Sequence, residues 1–333
     1  MKVFRGLPPP AERVPCALAI GNFDGVHRGH QALLAQVIDA ARTRDVVLAV
    51  MTFEPHPREL FAPEKAPARI ANVRDKLDAL RAHGVERVYL MHFNRRFASI
   101  TAEAFVDDIV VEALHTHWLM VGDDFRFGAR RAGDFALLQR AAQQHGFELK
   151  CLPAYEIDGA RVSSSAVRAA LASGDLRRAE RLLGHRYAIS GRVLHGRKLG
   201  RSLGFPTLNL RISHRRRMTQ PAVHGIFAVR VHGLEPAPLA GVASVGLRPT
   251  VDDSGLWLLE VHVFDFAREV YGARVRVEFI ERLRDEQRYA SMTELAAAIR
   301  ADAARARALL DGDADKLSSD KLSSDKLSSD KLA

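Results

Sequence analysis

The sequence predicts a parallel α/β domain, then an antiparallel β domain closed by one terminal helix. Three observations carry this reading. Apolar runs alternate with helical stretches from Ala17 to Leu152, whereas from His185 onward strand-like runs follow one another without helices between them. The 333-residue length also exceeds one ordinary domain. In the first half, ALAIG, VVLAVMTF, RVYLMHF, HWLMVGD and ELKCLP read as short buried strands. Helices are expected at His30 to Arg44, Val73 to His83, Thr101 to Leu114 and Asp134 to His145. Within the first of these, Leu33, Leu34, Val37, Ile38 and Ala41 share one face. Gly84 and Gly146 stand where C-terminal caps belong. Repeated β-α units make a parallel sheet covered on both faces, with ligands at the carboxyl edge of the strands. GNFDG, FEPHP and VGDDFRFG each follow a strand and should gather on that edge.

A short helix is expected after Ser163, and a second from Asp175 to about Gly184. The runs YAISGRVLHG, GIFAVRVHG, LAGVASVGL, LWLLEVHVFDF and ARVRVEFIERL then suggest an antiparallel barrel or sandwich. An amphipathic helix from about Met292 to Leu310 should pack over it. The expected domains are therefore 1–184 and 185–312. Residues 313–333 form a tail of DKLSS repeats, whose leucines every fifth residue suit neither helix nor strand periodicity, so disorder is expected there.

Composition narrows the function classes. Hydrophobic residues make up 47%, as in ordinary globular proteins, and no run approaches the ~18 apolar residues of a membrane span. MKVFRGLPPPAERVP has no apolar core, so a secretory signal is not expected. Cys16 and Cys151 both lie in apolar runs and read as buried, reduced thiols, which fits the cytoplasm. The net charge of +9 suits anionic ligands. Most basic residues are arginines scattered along helices, and Arg215 to Arg217 lack interleaved aromatics, so a solvated loop is expected there rather than a nucleic-acid patch.

No G-x-x-x-x-G-K-[ST] loop, G-x-G-x-x-G fingerprint, zinc-spaced cluster or G-x-S-x-G elbow occurs. What stands out is GNFDGVHRGH at residues 21–30. Gly21 ends a strand, Gly25 and Gly29 let backbone approach a ligand, and the free amides of the following helix favour an anion. His27 and His30 lie three apart, facing one way on a helical turn. Between a first strand and first helix, this arrangement reads as a phosphate site.

H-x-G-H in that place resembles the nucleotidyltransferase superfamily. The fuller set GNFDGVHRGH, TFEPHP, VGDDFRFG and RVSSSAVR resembles the adenylyltransferase half of the prokaryotic bifunctional riboflavin kinase/FAD synthetases. HGRKLGRSLGFPTLNL, SVGLRPT and LEVHVFDF resemble their riboflavin kinase half, in the family's order. The likeness covers about residues 14 to 310. It implies a Rossmann-like first domain and a β-barrel second domain with a terminal helix, phosphorylating riboflavin to FMN and adenylylating FMN to FAD. ATP, riboflavin and FMN are the implied substrates, with Mg2+ as cofactor. Small molecules are thus the expected partners, without nucleic acid or membrane, and a homo-oligomer is left open.

On that resemblance, ATP lies against Gly21, Asn22, Asp24, Gly25, His27, His30 and Arg161, with Ser164, Ser165 and Arg168 holding the leaving pyrophosphate. Asp24 could instead orient the loop. Asp124 and Arg126 would contact ATP or flavin, while Phe125 and Phe127 would pack either on flavin or in the core. Ser165 replaces the threonine frequent in relatives and keeps the hydroxyl. In the second half Gly196, Lys198 and Gly204 would form a flap over ATP, and Thr207 and Asn209 of P-T-x-N offer hard ligands suited to magnesium. Glu260 would be the general base; residue type alone does not single it out from Asp265 or Glu278.

Overall fold

The computed structural model describes residues 1–196, 204–212, 220–247 and 257–329, with side chains through residue 312. The chain divides into two compact units, Met1–Val167 with Leu182–Gly184, and Arg168–Arg181 with His185–Ala333.

The first unit is built on strands β1 (Lys2–Phe4), β2 (Cys16–Ile20), β3 (Val47–Glu54), β4 (Arg87–His92), β5 (Thr116–Gly122) and β6 (Glu148–Leu152). They form one sheet of order β1-β4-β3-β2-β5-β6, and every pairing is parallel. All five residues of β2 are buried, as expected of a strand covered on both faces. Its helices are α1 (Arg28–Arg44), α2 (Pro57–Phe61), α3 (Val73–Ala82), α4 (Arg95–Ala98), α5 (Ala102–Ala104) and α6 (Phe135–His145). On one face Leu34, Val37 and Leu80 pack against Ala17, Ala19 and Val50. On the other, Phe105, Ile109, Val110 and Leu138 pack against Leu18, Ile20 and Met51. Connections move outward from β2 to β3 and β4, then cross back to β5 on its other side. The strand order therefore reverses at β2 and β5, and the loops after these strands flank that crevice.

Several details differ from the sequence expectation. β1 was not anticipated, because three residues with one buried side chain carry no periodicity; pairing with β4 forms it. The expected helix from Thr101 has Thr101 as its cap, then continues after α5 as a π-helix over Phe105–Ala113. That wider winding lets Phe105, Val106, Ile109 and Val110 all face inward. Cys16 is buried as expected, and burial pushes its thiol up to about 12. Cys151 is exposed, a correction, because β6 is an edge strand covered on one side only.

After the short strands β7 (Glu156–Ile157) and β8 (Ala160–Arg161) come helices α7 (Ser164–Ser173) and α8 (Leu176–Leu183). The second unit holds β9 (Ala188–Leu194), β10 (Leu208–Arg211), β11 (Gly225–His232), β12 (Leu239–Leu247), β13 (Trp257–Val263) and β14 (Arg274–Arg284). These close into an antiparallel barrel of order β10-β13-β12-β11-β14-β9, with β9 pairing back to β10. Phe227, Val229, Leu259, Val261, Val277 and Phe279 alternate into its core. Helix α9 (Met292–Ser329) lays Ala303, Ala306 and Leu310 on Ala228, Val242 and Leu283 of the outer surface. Its backbone runs on through the DKLSS repeats, where composition predicts a disordered tail; after Gly312 no glycine or proline interrupts it.

Candidate active sites

In the first unit the chain leaves β2 at Gly21 and enters α1 at Arg28. His27 is the N-cap of α1, with its Nδ1 accepting the His30 N–H at 3.4 Å. A neutral ring whose Nδ1 accepts carries its proton on Nε2, so His27 can donate from that nitrogen. The His27 and His30 rings stack with centroids 3.7 Å apart, and Phe23 backs His30 at 4.9 Å. Sequence spacing anticipated this pairing, but not that His27 would also be the cap.

Asp24 is buried at 6% exposure, its carboxylate accepting the N–H groups of Ile70 at 3.2 Å and Ala71 at 3.0 Å. These two bonds tie the loop to residues 70 and 71, the geometry expected of the loop-orienting alternative. The left-handed φ of +82° and a Cβ clash with Ile70 Cγ2 at 2.6 Å require glycine at position 25. Gly29 lies against the Val162 carbonyl, and Ser164 Oγ donates to the Asp24 carbonyl at 3.2 Å. The starts of α1 and α7 are thereby joined around one loop. Ser164, Ser165 and Arg168 open α7, with Arg168 one turn after Ser164.

From the β5 loop, Asp123 accepts Arg161 Nη2 at 2.7 Å and Asp124 lies 3.8 Å from the same nitrogen. Arg126 leans to Asp134 at 3.8 Å. Phe127 is 6% exposed and packs on Phe105, so it belongs to the core, while Phe125 is only partly buried and stacks on it at 5.4 Å.

A group that sequence reasoning missed lies beneath the loop. A small pocket is lined by Asp24, Phe53, Glu54, His56, Arg69 and Lys76. Arg69 donates to both oxygens of Glu54 at 2.8 Å and to Glu59 at 2.7 and 2.8 Å. Lys76 is 5% exposed. The signal was present: Lys76 stands one turn before Leu80 on the apolar stripe of its helix, in a chain poor in lysine.

In the second unit, Leu259 and Val261 are fully buried and Glu260 lies on the outer row of β13, as alternation requires. Its cross-strand neighbours are Asn209 on β10 and Ser244 on β12. The rival carboxylates are engaged elsewhere. Asp265 is held by Arg307 at 2.8 and 3.0 Å, and Glu278 lies among Arg186, Arg276 and His232.

Asn209 is buried, and its Nδ2 donates to the Thr207 carbonyl at 3.3 Å. Its Oδ1 has no hydrogen-bond partner among the described residues. A buried acceptor left over two residues from Thr207 fits a hard cation. Among the described residues no cluster of His, Cys, Asp or Glu offers a rival metal site. A Cβ on Gly196 would lie 2.3 Å from Asn209 Nδ2, so glycine there lets the chain cross directly over the amide. His262 donates from Nδ1 to the Pro206 carbonyl at 2.9 Å, tying P-T-x-N to β13.

An open cleft beside Thr207 is lined by Val193, Pro206, Phe266, Arg268, Val270 and Tyr271. Ser244 Oγ donates to Glu286 at 3.1 Å, and burial raises that carboxyl above its ordinary range despite the bond. Gly204 has a φ of +84°. Lys198, with Arg215 to Arg217, lies outside the described residues.

Two sites suited to phosphate chemistry thus sit on two different architectures, a parallel-sheet switch point and an antiparallel barrel. The FAD synthetase family profile matches residues 10–166, and the riboflavin kinase profile matches residues 183–310. A bifunctional riboflavin kinase/FMN adenylyltransferase of Escherichia coli (strain K12) is 49% identical over 310 residues, covering 92% of this chain and 97% of the relative. Proteins of that description from Pseudomonas fluorescens and Haemophilus influenzae are 48% and 43% identical, covering 98% and 100% of their lengths. A Streptococcus pneumoniae crystal structure described as a macrolide-efflux protein shares the fold, with a TM-score of 0.71 and 30% identity over 90% of this chain and 96% of that one. Among the described residues, no helix of the present chain is long and apolar enough to cross a membrane. The chain belongs to the family of bifunctional riboflavin kinase/FMN adenylyltransferases.

Proposed function

We propose that this chain carries out both reactions of its family, each in its own unit: riboflavin and ATP give FMN and ADP, then FMN and a second ATP give FAD and pyrophosphate. The observation that carries the reading is the pairing of one phosphate-binding arrangement per unit, stacked His27 and His30 at a helix start, and Asn209 opposite Glu260 on the barrel.

In the first unit the ATP phosphates lie over the start of α1, where Gly21, Asn22, Gly25 and the helix amides admit them. His27 and His30 donate to phosphate oxygens, and the helix dipole adds to the attraction. An FMN phosphate oxygen attacks the α-phosphorus in line, and the bond to the bridging oxygen of the leaving pyrophosphate breaks. No protein nucleophile is needed; positioning and charge stabilisation supply the catalysis. Ser164, Ser165 and Arg161 receive the pyrophosphate, Arg161 being steered by Asp123 and Asp124. Phe125, whose face is partly open, meets the flavin, with Phe127 behind it and Arg126 at the rim.

In the second unit Glu260 takes the proton of the terminal ribityl hydroxyl. That oxygen attacks the γ-phosphorus and ADP departs. Thr207 and Asn209 would hold Mg2+, which when bound neutralises charge on the phosphates. Gly196 and Gly204 would lie against the nucleotide. We infer a cytoplasmic enzyme whose partners are these small molecules.

The test is incubation with riboflavin and magnesium-ATP, followed by chromatographic separation of the flavins. FMN appearing first and FAD later is the expected result. FMN alone would remove the adenylyltransferase half, and unchanged riboflavin would remove both.

A further inference from the structure

We propose that Thr52 and Lys76 are positioning residues of adenylyl transfer, forming a buried relay that fixes the Asn22 carbonyl and with it the loop carrying His27 and His30. This rests on the reading that the loop binds the ATP phosphates. Thr52 is fully buried near the end of β3, and its Oγ1 donates to the Asn22 carbonyl at 3.1 Å. A hydroxyl has one proton, so with that proton committed the oxygen can only accept from its other side. Lys76 Nζ donates there at 3.4 Å.

The lysine needs a reason to exist. Burying an ammonium costs free energy, and leucine would complete the apolar stripe with Leu80. Its surroundings supply the reason, because Asp24, Glu54 and Glu59 attract it while Arg69 repels it. The loop above is pinned at three nearby points: Asn22 by Thr52, Asp24 by the amides of Ile70 and Ala71, and Gly25 against Ile70. Lys76 serves two of them, through the Thr52 oxygen and through the Asp24 charge. Neither residue lines the start of α1, so their effect on chemistry passes through loop position. A shift there moves both imidazoles together, since His27 caps α1 and stacks on His30.

Thr52→Val removes the hydroxyl and keeps the shape, whereas Thr52→Ser keeps the hydroxyl; Lys76→Met removes the other link. FAD synthesis from FMN and magnesium-ATP would be measured for each, with riboflavin kinase turnover of the same chain as an internal reference. Thr52→Val and Lys76→Met are expected to lower kcat by about tenfold, the scale of one hydrogen bond that sets reacting geometry. KM for FMN should stay within about twofold, because the relay touches no substrate. Thr52→Ser should recover most of the rate. The double variant should be no slower than the slower single one, because both cut the same relay. Equal loss in Thr52→Ser and Thr52→Val would overturn the proposal in favour of packing. Independent multiplication of the two effects, or full-rate FAD synthesis by either relay-cutting variant, would also overturn it. Failure of the unaltered protein to make FAD would instead remove the adenylyltransferase reading, and the proposal with it.

Discussion

At the scale of single residues, alternation along β13 decides which side chains face the interior of the barrel. Leu259 and Val261 take the interior, which leaves Glu260 on the row it shares with Asn209 and Ser244. Glu260→Gln keeps shape and hydrogen bonding while removing the proposed base. FMN formation should fall by roughly a hundredfold or more, the usual scale for losing a general base; steady-state kinase assays would read it, and an unchanged rate would assign the role to another carboxylate. Lys76 gives a second prediction. Burial outweighs its anionic neighbours and lowers its pKa from the ordinary 10.5. Between that lowered value and 10.5 the unfolded chain binds the extra proton, so this group makes stability rise with pH across the window; below it the cost is present in full. Lys76→Met should therefore be at least as stable as the unaltered protein at neutral pH. Urea titrations at several alkaline pH values should show a flatter stability profile for it.

At the scale of elements, two contacts in the second unit lend themselves to test. Arg284 on β14 grips Asp302 of α9, Nη2 lying 2.6 Å from Oδ2 and Nε 2.9 Å from Oδ1. Both groups are largely buried, so Asp302→Ala strands a cation against the barrel and should cost about 3 kcal/mol of stability, as when one member of a buried pair is removed. Denaturant midpoints would measure it, and a cost within experimental error would mean that the apolar contacts of Ala303, Ala306 and Leu310 hold the helix unaided. Where the chain leaves β9, Gly196 rests on the Asn209 amide. Gly196→Ala must push that amide aside, so kinase activity should fall while FAD synthesis from supplied FMN persists. Equal loss of both activities would point to general damage instead.

At the scale of the whole molecule, two architectures, a parallel sheet and an antiparallel barrel, match the two family profiles in turn. His30→Ala should thus abolish FAD formation and leave riboflavin phosphorylation near its original rate, measured by separating the flavins from one incubation. Loss of both in a folded variant would show that the units depend on each other. The relative placement of motif sets agrees with this division, since the FAD synthetase profile ends at residue 166 and the riboflavin kinase profile begins at 183.

By itself the sequence determined the main alternation of strands and helices in the first half, the change to consecutive strands near residue 185, and the closeness of His27 to His30 and of Thr207 to Asn209. These are matters of local spacing and polarity, and periodicity encodes them directly. Only the tertiary structure decided which groups meet across long separations. Asp24 finds the amides of residues 70 and 71, Ser164 reaches the Asp24 carbonyl, and Asn209 lies opposite Glu260. It also decided exposure where pattern was ambiguous, sending Cys151 to an open sheet edge, Phe127 into the core and Lys76 beneath the loop that carries His27. Burial and pairing of this kind depend on strand order and helix packing, which bring together residues that local pattern does not relate.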